Sequence, residues 1–203
     1  MPTPGRHLFF CRESDSTPLR ARLPHRYAWN IWRPKLSDLH PPRAPRELRK
    51  SFMFRAAMHQ ARSLGRGHYG EVVIYSDNEL VHHTGFAARY WRFPFLRKDD
   101  LQIATSWTSP AHRDQELAEF AIEKIIGAYR RPGRRFWYCV EEDNPESVRV
   151  AEKTGFSLVG IGEWVVPLGV ELLSYYRILD PARAQADTPG ATRTGASRTW
   201  SSM

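Results

Sequence analysis

The sequence predicts a single mixed α/β (α+β) domain, with a twisted mixed sheet of about seven strands flanked by helices. Two observations carry this prediction: strand-like and helix-like segments follow one another over residues 26–180, and no segment is repeated along the chain. With 203 residues, of which 41% are hydrophobic and 12% aromatic, the chain is long enough to bury one core. No apolar run approaches the roughly 20 residues that a membrane-spanning helix needs.

The first half of this domain contains a strand, a helix and three more strands. Crowded aromatic and β-branched residues, bounded by prolines or polar turns, predict the strands. These strands cover residues 26–33, 69–75, 80–90 and 101–107. Apolar residues at helical spacing predict a helix over 46–62. Asp77 and Asn78 separate two of the strands, and both residues tolerate the positive φ of a hairpin turn.

The second half alternates helices and strands. Apolar side chains recur at helical spacing, with acidic residues on the wet face, in a helix that the sequence predicts from Asp114 onward. In a later helix, Asn144 is a good N-cap, Pro145 suits the first helical position and Gly155 follows the last. The predicted helices cover 114–129 and 144–153, and the strands cover 136–140, 156–166 and 170–179.

The two ends of the chain lack any apolar period. Residues 1–25 contain four prolines and are expected to form a flexible basic arm, with the folded domain over 26–180. Residues 181–203 are rich in Ala, Thr, Ser, Gly and Arg and are expected to be a disordered tail. The overall net charge of +8 belongs to the first third: residues 1–66 hold 14 basic and 4 acidic side chains.

This charge distribution leaves nucleic acid as one alternative partner, bound by the basic arm through phosphate contacts. No helix-turn-helix, zinc-finger or RNA-binding signature accompanies the arm, so nucleic acid is not the expected partner. Two cysteines 128 positions apart form neither a metal quartet nor a disulfide framework. We therefore expect no metal and no membrane association, and a cytoplasmic location.

Two stretches carry the chemistry. In the first, a predicted strand ends near Trp107, a turn holds Pro110, and a helix follows; a helix start exposes free backbone N–H groups that can hold a phosphate. In the second, a capped helix begins after Asn144 and leads through Gly155 and Phe156 into a strand. Either stretch alone is compatible with a purely structural role.

Together, and in this order, the two stretches resemble the GCN5-related N-acetyltransferase (GNAT) superfamily over roughly residues 46–180. The phosphate loop of that family looks like Pro-x-x-Arg-Gly-x-Gly-x-Gly/Ala at the head of a helix, and its later helix carries Asn-x-x-Ala/Ser and then Glu-Lys-x-Gly-Phe. The matching positions of this chain are Pro110, Arg113, Ala118, Asn144, Ser147, Glu152, Lys153, Gly155 and Phe156.

The resemblance implies acetyl-CoA as co-substrate, bound where two neighbouring strands part. It also implies direct transfer of the acetyl group to an amine, with a base or water chain taking the amine proton and a Tyr or water protonating the leaving thiolate. Implied partners are a small-molecule amine and a second copy of the chain in a homodimer. The implied CoA-binding residues are Trp107, Thr108, Ser109, Arg113, Asp114, Gln115, Glu116, Leu117, Ala118, Asn144 and Ser147.

The chain departs from the family pattern at three positions. Asp114 and Glu116 replace two glycines of the phosphate loop, adding Cβ atoms and negative charge at the anion site. They could equally be ordinary acidic residues of a first helical turn, where they stabilise the dipole. Ala151 stands where the family commonly has the Tyr that protonates the thiolate, so Tyr138 or water would have to substitute.

The general base and the acceptor are left open by the sequence. His83 on a strand and Asp100 before a strand are the candidate bases, against the alternative that His82 and His83 are one buried and one exposed strand residue. The segments 98–103 and 134–138 are similar to acetyltransferase-like proteins associated with bacterial surface-polysaccharide genes, which adds an amino sugar as an acceptor. The aromatic residues form either core or a sugar-binding platform: Trp29, Trp32, Trp91, Phe93, Phe95 and Trp107.

Two functions follow from these observations. One is an acyl-CoA-dependent N-acetyltransferase. The other is a GNAT-fold binding or regulatory protein without catalytic activity, favoured by Asp114, Glu116 and Ala151.

Overall fold

The computed structural model describes residues 6–14, 22–60 and 68–179. Its strands are β1 (His7–Glu13), β2 (Tyr27–Trp32), β3 (Tyr69–Ser76), β4 (Glu79–Ala88), β5 (Leu101–Thr108), β6 (Arg135–Glu141), β7 (Ser157–Val165) and β8 (Tyr175–Leu179). Its helices are α1 (Arg46–Gln60), α2 (Leu117–Tyr129) and α3 (Pro145–Lys153), with short 3₁₀ turns at Pro110–His112, Pro167–Gly169 and Glu171–Leu173. The predicted α+β class is confirmed, with eight strands in place of about seven.

All eight strands form one open sheet in the order β2-β3-β4-β5-β6-β1-β7-β8. Every neighbouring pair is antiparallel except β5 and β6, which are parallel. The parallel pairing covers only Leu101–Ile103 against Phe136–Tyr138. Beyond Ile103 the two strands are no longer paired, and this break in the middle of the sheet positions the site described below.

The prediction of a flexible arm over residues 1–25 is wrong for His7–Glu13, which form strand β1 in the interior of the sheet. A strand buried on both faces has a continuous apolar run rather than an alternating one, and here that run is only Leu8, Phe9 and Phe10. The buried charge of Arg12 hides the pattern further. The predicted tail over 181–203 lies outside the described residues.

Helices cover both faces of the sheet. Phe52 and Ala56 of α1 pack with Trp32 and Val73 on one face. On the other face α2 buries a row of apolar side chains against the strands: Leu117, Phe120, Ala121, Ile122, Ile125 and Ile126. Because side chains alternate along a strand, Phe10 and Tyr138 belong to the α2 face.

Several basic side chains of the first third bind folded parts of the chain. Arg12 in β1 donates to Glu123 of α2 and, at 2.7 Å, to the carbonyl oxygen of Thr154 at the end of α3. Arg26 donates to Gln115 at 2.8 Å. The basic charge of this third therefore serves partly to join elements. No helix in the described ranges is both long and apolar enough to cross a membrane.

Candidate functional site

The sheet opens at the middle of β5. Thr105 has a φ of 48°, and the pairing of β5 with β4 shifts register between Thr84 and Gly85, so that Thr105 is an extra, bulged residue. A bulge bends its strand and re-aims the residues that follow. Together with the end of the β5–β6 pairing after Ile103, the bulge leaves residues 106–108 facing a gap between two strands.

A cavity of about 460 Å³ fills this gap on the α2 side of the sheet, and we call it the first cavity. Its walls come from the end of β5, the loop before α2, the first turn of α2, Tyr138 of β6 and one side of α3. Every residue of the implied CoA set except Ser109 lines it: Trp107, Thr108, Arg113, Asp114, Gln115, Glu116, Leu117, Ala118, Asn144 and Ser147. Ser109 instead donates its amide to the carbonyl of Val81 at 2.8 Å.

The loop before α2 keeps a glycine-like backbone without glycines. Asp114 has a φ of 58° and Glu116 a φ of 55°, which is the left-handed region where a side chain costs about 1–2 kcal/mol. The helix therefore begins at Leu117 and not, as predicted, at Asp114. The sequence misled because acidic residues are common in a first helical turn.

The first turn of α2 offers backbone donors to the first cavity. Glu116, the N-cap, makes no capping hydrogen bond with its side chain, and Phe120 is the first residue whose amide bonds back to Glu116. The amides of residues 117–119 precede that bond and have no partner within the helix. An anion in the first cavity would meet these N–H groups and the positive end of the helix dipole.

The charges around the first cavity nearly cancel. Four carboxylates and three Lys or Arg side chains line it. Glu116 is exposed and lies 3.9 Å from the ammonium of Lys153, which is also 3.6 Å from Glu119. Lys153 thus partly neutralises the carboxylate of Glu116, and solvent screens it. The carboxylate therefore repels a bound phosphate less than an unpaired, buried carboxylate would.

Tyr138 and the start of α3 form the inner wall of the first cavity. Asn144 caps α3, since its Oδ1 accepts the amide of Ser147 at 3.0 Å. Burial raises the pKa of the Tyr138 hydroxyl; a hydrogen bond with Ser147 opposes this rise and the charge of Glu119 adds to it. Tyr138 therefore keeps its proton at neutral pH. Its side chain lines the first cavity, where β5 and β6 are no longer paired.

A smaller cavity of about 190 Å³, the second cavity, lies on the α1 face of the sheet. Ala104 and Thr105 of β5 line it, whereas the next residue, Ser106, lines the first cavity. Its other walls are Phe54, Arg55, Met58, Tyr69, Gly85, Phe86, Ala87, Tyr90, Trp91, Arg92 and Gln102. A Cβ on Gly85 would come within 2.7 Å of Thr105 Oγ1, so a larger residue at position 85 would clash with the bulged residue.

The predicted base His83 lies beside a buried carboxylate that the sequence analysis missed. His83 Nδ1 is 2.8 Å from Glu71 Oε2, and Glu71 is fully buried. Glu71 also accepts from Arg55 Nε at 2.9 Å and from the Tyr69 hydroxyl at 3.0 Å. The available signal was a lone acidic residue inside an apolar strand. The ring of His83 stacks 6.2 Å from that of Trp107, a wall of the first cavity.

The expectation that one of His82 and His83 is exposed is wrong, because both are buried. His82 interacts with the hydroxyls of Thr108 and Thr84 at 2.8 and 2.9 Å. Burial, and to a smaller extent the neighbouring His83, lowers the pKa of His82 to about 3, so His82 is neutral at physiological pH.

Asp100, the second predicted base, lines neither cavity. Its carboxylate, 1% exposed, accepts from Arg135 at 2.7 Å, from Trp137 Nε1 at 2.9 Å and from the amide of Arg97 at 2.9 Å. These bonds join the loop before β5 to β6. The geometry therefore gives Asp100 a structural place, at the end of β5 opposite the gap.

The aromatic residues do not form one platform. Trp29 meets Phe120 of α2, and Trp32 meets Phe52 of α1. Phe93 and Phe95 pack with Phe9, a member of a third core cluster. Trp107 lines the first cavity and Trp91 the second, so a single sugar-binding surface from all six is excluded by their positions.

In this α+β sheet two parallel strands separate, and the N-terminus of α2, which has no side-chain cap, lies at the gap between them. This arrangement defines a class of proteins suited to binding a long anionic ligand in the gap. The comparison of families identifies that class more closely. The model of the Acetyltransferase (GNAT) family matches residues 27–156, and the chain belongs to this family. A comparison with curated proteins gives no match.

Solved structures share the fold at low identity. A GCN5-related N-acetyltransferase from Sphaerobacter thermophilus is 13% identical with a TM-score of 0.52, covering 78% of this chain and 49% of its own. A tandem GNAT protein from the clavulanic acid biosynthesis pathway is 15% identical with a TM-score of 0.50, covering 78% and 51%. A Drosophila protein is 10% identical with a TM-score of 0.54, covering 77% and 48%. The chain thus spans about half the length of these proteins.

Proposed function

We propose that the chain is an acyl-CoA-dependent N-acetyltransferase that transfers an acetyl group directly to a small amine. The supporting observation is the pair of cavities on opposite faces of the sheet, separated by residues 104–106 of β5. Two substrates held in these cavities would approach each other at the bulge. Holding both in place removes most of the entropic cost of a bimolecular step.

The residues of the first cavity fit acetyl-CoA, which supplies an activated acetyl thioester when bound. The free amides of residues 117–119 match the pyrophosphate, and Arg113 and Lys153 add positive charge at the rim. Backbone groups of residues 106–108, left without a strand partner on the β6 side, can bind the amide-bearing arm of the cofactor. Asp114 and Glu116 weaken this fit without blocking it, because both side chains are exposed.

The proposed proton donor and the proposed proton acceptor lie on opposite sides of β5. The amine nitrogen bonds to the acetyl carbon as the carbon–sulfur bond breaks, so the nitrogen must lose one proton and the sulfur must gain one. Tyr138 holds a proton at Oη beside the first cavity. His83, whose Nδ1 lies 2.8 Å from Glu71 Oε2, is the proposed proton acceptor. Because His83 lines neither cavity, a water chain carries the amine proton to its ring. Asp100 has no part in this scheme.

Acetyl-CoA should stabilise the protein against heat. A ligand at about 100 times its Kd adds about 2.7 kcal/mol, which for a chain of this size raises Tm by about 5–10 °C. Differential scanning fluorimetry at millimolar acetyl-CoA, with ATP as an anionic control, measures the shift, and thiol release with an amine panel measures turnover. The proposal fails if neither a shift nor thiol release occurs.

Acetyl-CoA binding without turnover of any amine would instead favour the second candidate function, a catalytically inactive GNAT-fold binding or regulatory protein. The observation that favours this candidate is the pair of acidic side chains in the phosphate loop, Asp114 and Glu116.

Restoring both loop glycines should tighten acetyl-CoA binding. In Asp114→Gly/Glu116→Gly we expect Kd to fall by about 3–10-fold, because two exposed charges near the phosphates are removed. Glycine adopts a positive φ freely, so relief of strain at both positions should also stabilise the fold by about 1 kcal/mol. Calorimetry and thermal unfolding measure the two effects.

The matched control is Asp114→Asn/Glu116→Gln, which removes the charges and keeps the backbone strain. It should reproduce most of the gain in affinity and little of the gain in stability. An unchanged Kd in both double variants would show that the two carboxylates do not oppose the ligand.

A further inference from the structure

Two residues that line the second cavity, Gln102 and Arg55, each have a buried polar atom without a partner among the described residues. Gln102, 3% exposed, has no hydrogen-bond partner for its Oε1 among the described residues, and neither has Nη2 of Arg55. Buried polar groups in folded proteins are nearly always hydrogen-bonded, so each unpaired atom calls for an explanation. One atom is an acceptor and the other a donor, which is what a ligand with an N–H group and an oxygen acceptor would satisfy.

The second cavity also has a positive lining. Arg55 and Arg92 line it, and no Asp or Glu does. Arg55 is paired through Nε with Glu71, leaving Nη2 for another acceptor. Arg92 lies over the rings of Trp91 and Trp164, at 6.0 and 5.2 Å, and forms no ion pair within the described ranges. An arginine fork binds a carboxylate well, so an anionic group on the ligand fits this side.

The remaining walls are apolar and close together: Phe54, Met58, Phe86, Tyr90 and Trp91. The volume of about 190 Å³ suits one ring or one branched chain, since an apolar cavity of about 150 Å³ binds benzene. A sugar ring would bring several hydroxyls, whereas the unpaired groups here are Gln102 Oε1 and Arg55 Nη2. Size, charge and polarity therefore favour a compact ligand with one ring, one amine and one carboxylate.

We propose that the acceptor is a free α-amino acid with an aromatic or large apolar side chain. Its ammonium or amine donates to Gln102, its carboxylate accepts from Arg55 near Arg92, and its side chain packs on Trp91 and its neighbours. Gln102 lies two residues before Ala104, so the amine points toward the bulge that separates the cavities. This inference rests on the proposed transferase activity and specifies its acceptor.

The test compares matched amines with acetyl-CoA, following thiol release. Free phenylalanine should have a kcat/KM about 10- to 100-fold above those of phenylalaninamide and phenethylamine, which lack the carboxylate. It should also exceed glucosamine and a dipeptide that begins with phenylalanine. If the amide or amine matches the free acid, or if glucosamine or the dipeptide is the better acceptor, the assignment is overturned while the transferase activity stands.

Two variants separate recognition from folding. Gln102→Leu removes the unpaired buried Oε1 and puts an apolar side chain of similar size in its place, so its Tm should stay the same or rise while kcat/KM for phenylalanine falls about tenfold or more. Arg92→Gln should raise KM for phenylalanine and leave KM for phenethylamine unchanged. Arg89→Gln, an exposed arginine outside the cavity, is the matched control and should change neither. Wild-type kinetics in Gln102→Leu and Arg92→Gln would refute the proposal.

A binding measurement tests the acceptor assignment separately from the transferase activity. Calorimetry with phenylalanine alone reports on the second cavity even if no transfer occurs. Binding that Gln102→Leu weakens, without thiol release, would sustain the cavity assignment and reject the transferase. Absence of both binding and turnover of phenylalanine would reject the assignment.

Discussion

Tyr138→Phe should lower kcat by about 100-fold or more and leave the Kd for acetyl-CoA within about twofold. General acid catalysis contributes about 10²–10⁴ to a rate, and the Tyr138 hydroxyl is the proton donor of the proposed reaction. Burial raises its pKa, so the group stays protonated through the neutral range and can deliver that proton when a thiolate leaves. The substitution removes one oxygen and keeps the ring, which packs 6.0 Å from that of Phe156.

Steady-state thiol release and calorimetry on the same preparation measure the two quantities. The matched control is Tyr129→Phe, which removes a buried hydroxyl bound to Arg33 outside both cavities. That control should lower stability modestly and leave kcat unchanged. A kcat for Tyr138→Phe close to that of the wild type would assign the proton to water or to another group.

Arg12→Met should lower the free energy of unfolding by about 3–5 kcal/mol, or Tm by about 10 °C. The Arg12 side chain is 1% exposed and its partner Glu123 is 8% exposed, so the substitution takes a cation away from a buried carboxylate. It also removes the donor to the carbonyl of Thr154. Arg12 thus joins β1 to the helices α2 and α3, which both line the first cavity.

Urea unfolding of Arg12→Met, beside Arg12→Met/Glu123→Leu, checks this prediction. Replacing both members of a buried ion pair by apolar residues is often neutral, so the double variant should recover much of the loss. A loss below about 1 kcal/mol in the single variant would mean that water or another side chain replaces Arg12 with ease.

Local patterns predicted the fold well where elements are amphipathic and bounded by turns. The order of strands and helices from β2 to β8 followed from apolar spacing, the caps of α3 and the turn at Asp77 and Asn78. Pairing between distant residues has no such local mark. Arg12 and Glu123 are 111 positions apart, and the place of β1 between β6 and β7 depends on contacts of that kind.

The candidate site was also predictable only where local sequence motifs form it. The loop before α2 and the cap of α3 are short motifs, and the structure brings them to one cavity. Glu71 was missed because its partners Arg55, Tyr69 and His83 meet only through packing of α1 on the sheet. The buried hydrogen bonds of Asp100 could not be predicted from local patterns, because its partners Arg135 and Trp137 on β6 are 35 and 37 positions away.

The position of β1 also sets the order in which the protein can be completed. Of the described strands β1 is synthesised first, yet its neighbours β6 and β7 begin at residues 135 and 157. At about 5–20 residues per second, β1 waits roughly 10–30 s for both partners. Strands β2 to β5 can pair with one another as they emerge, whereas β7 and β8 reach the sheet only through β1. The addition of β7 and β8 to the sheet is therefore a late folding event, because it requires β1 to pair with strands that are synthesised long after it.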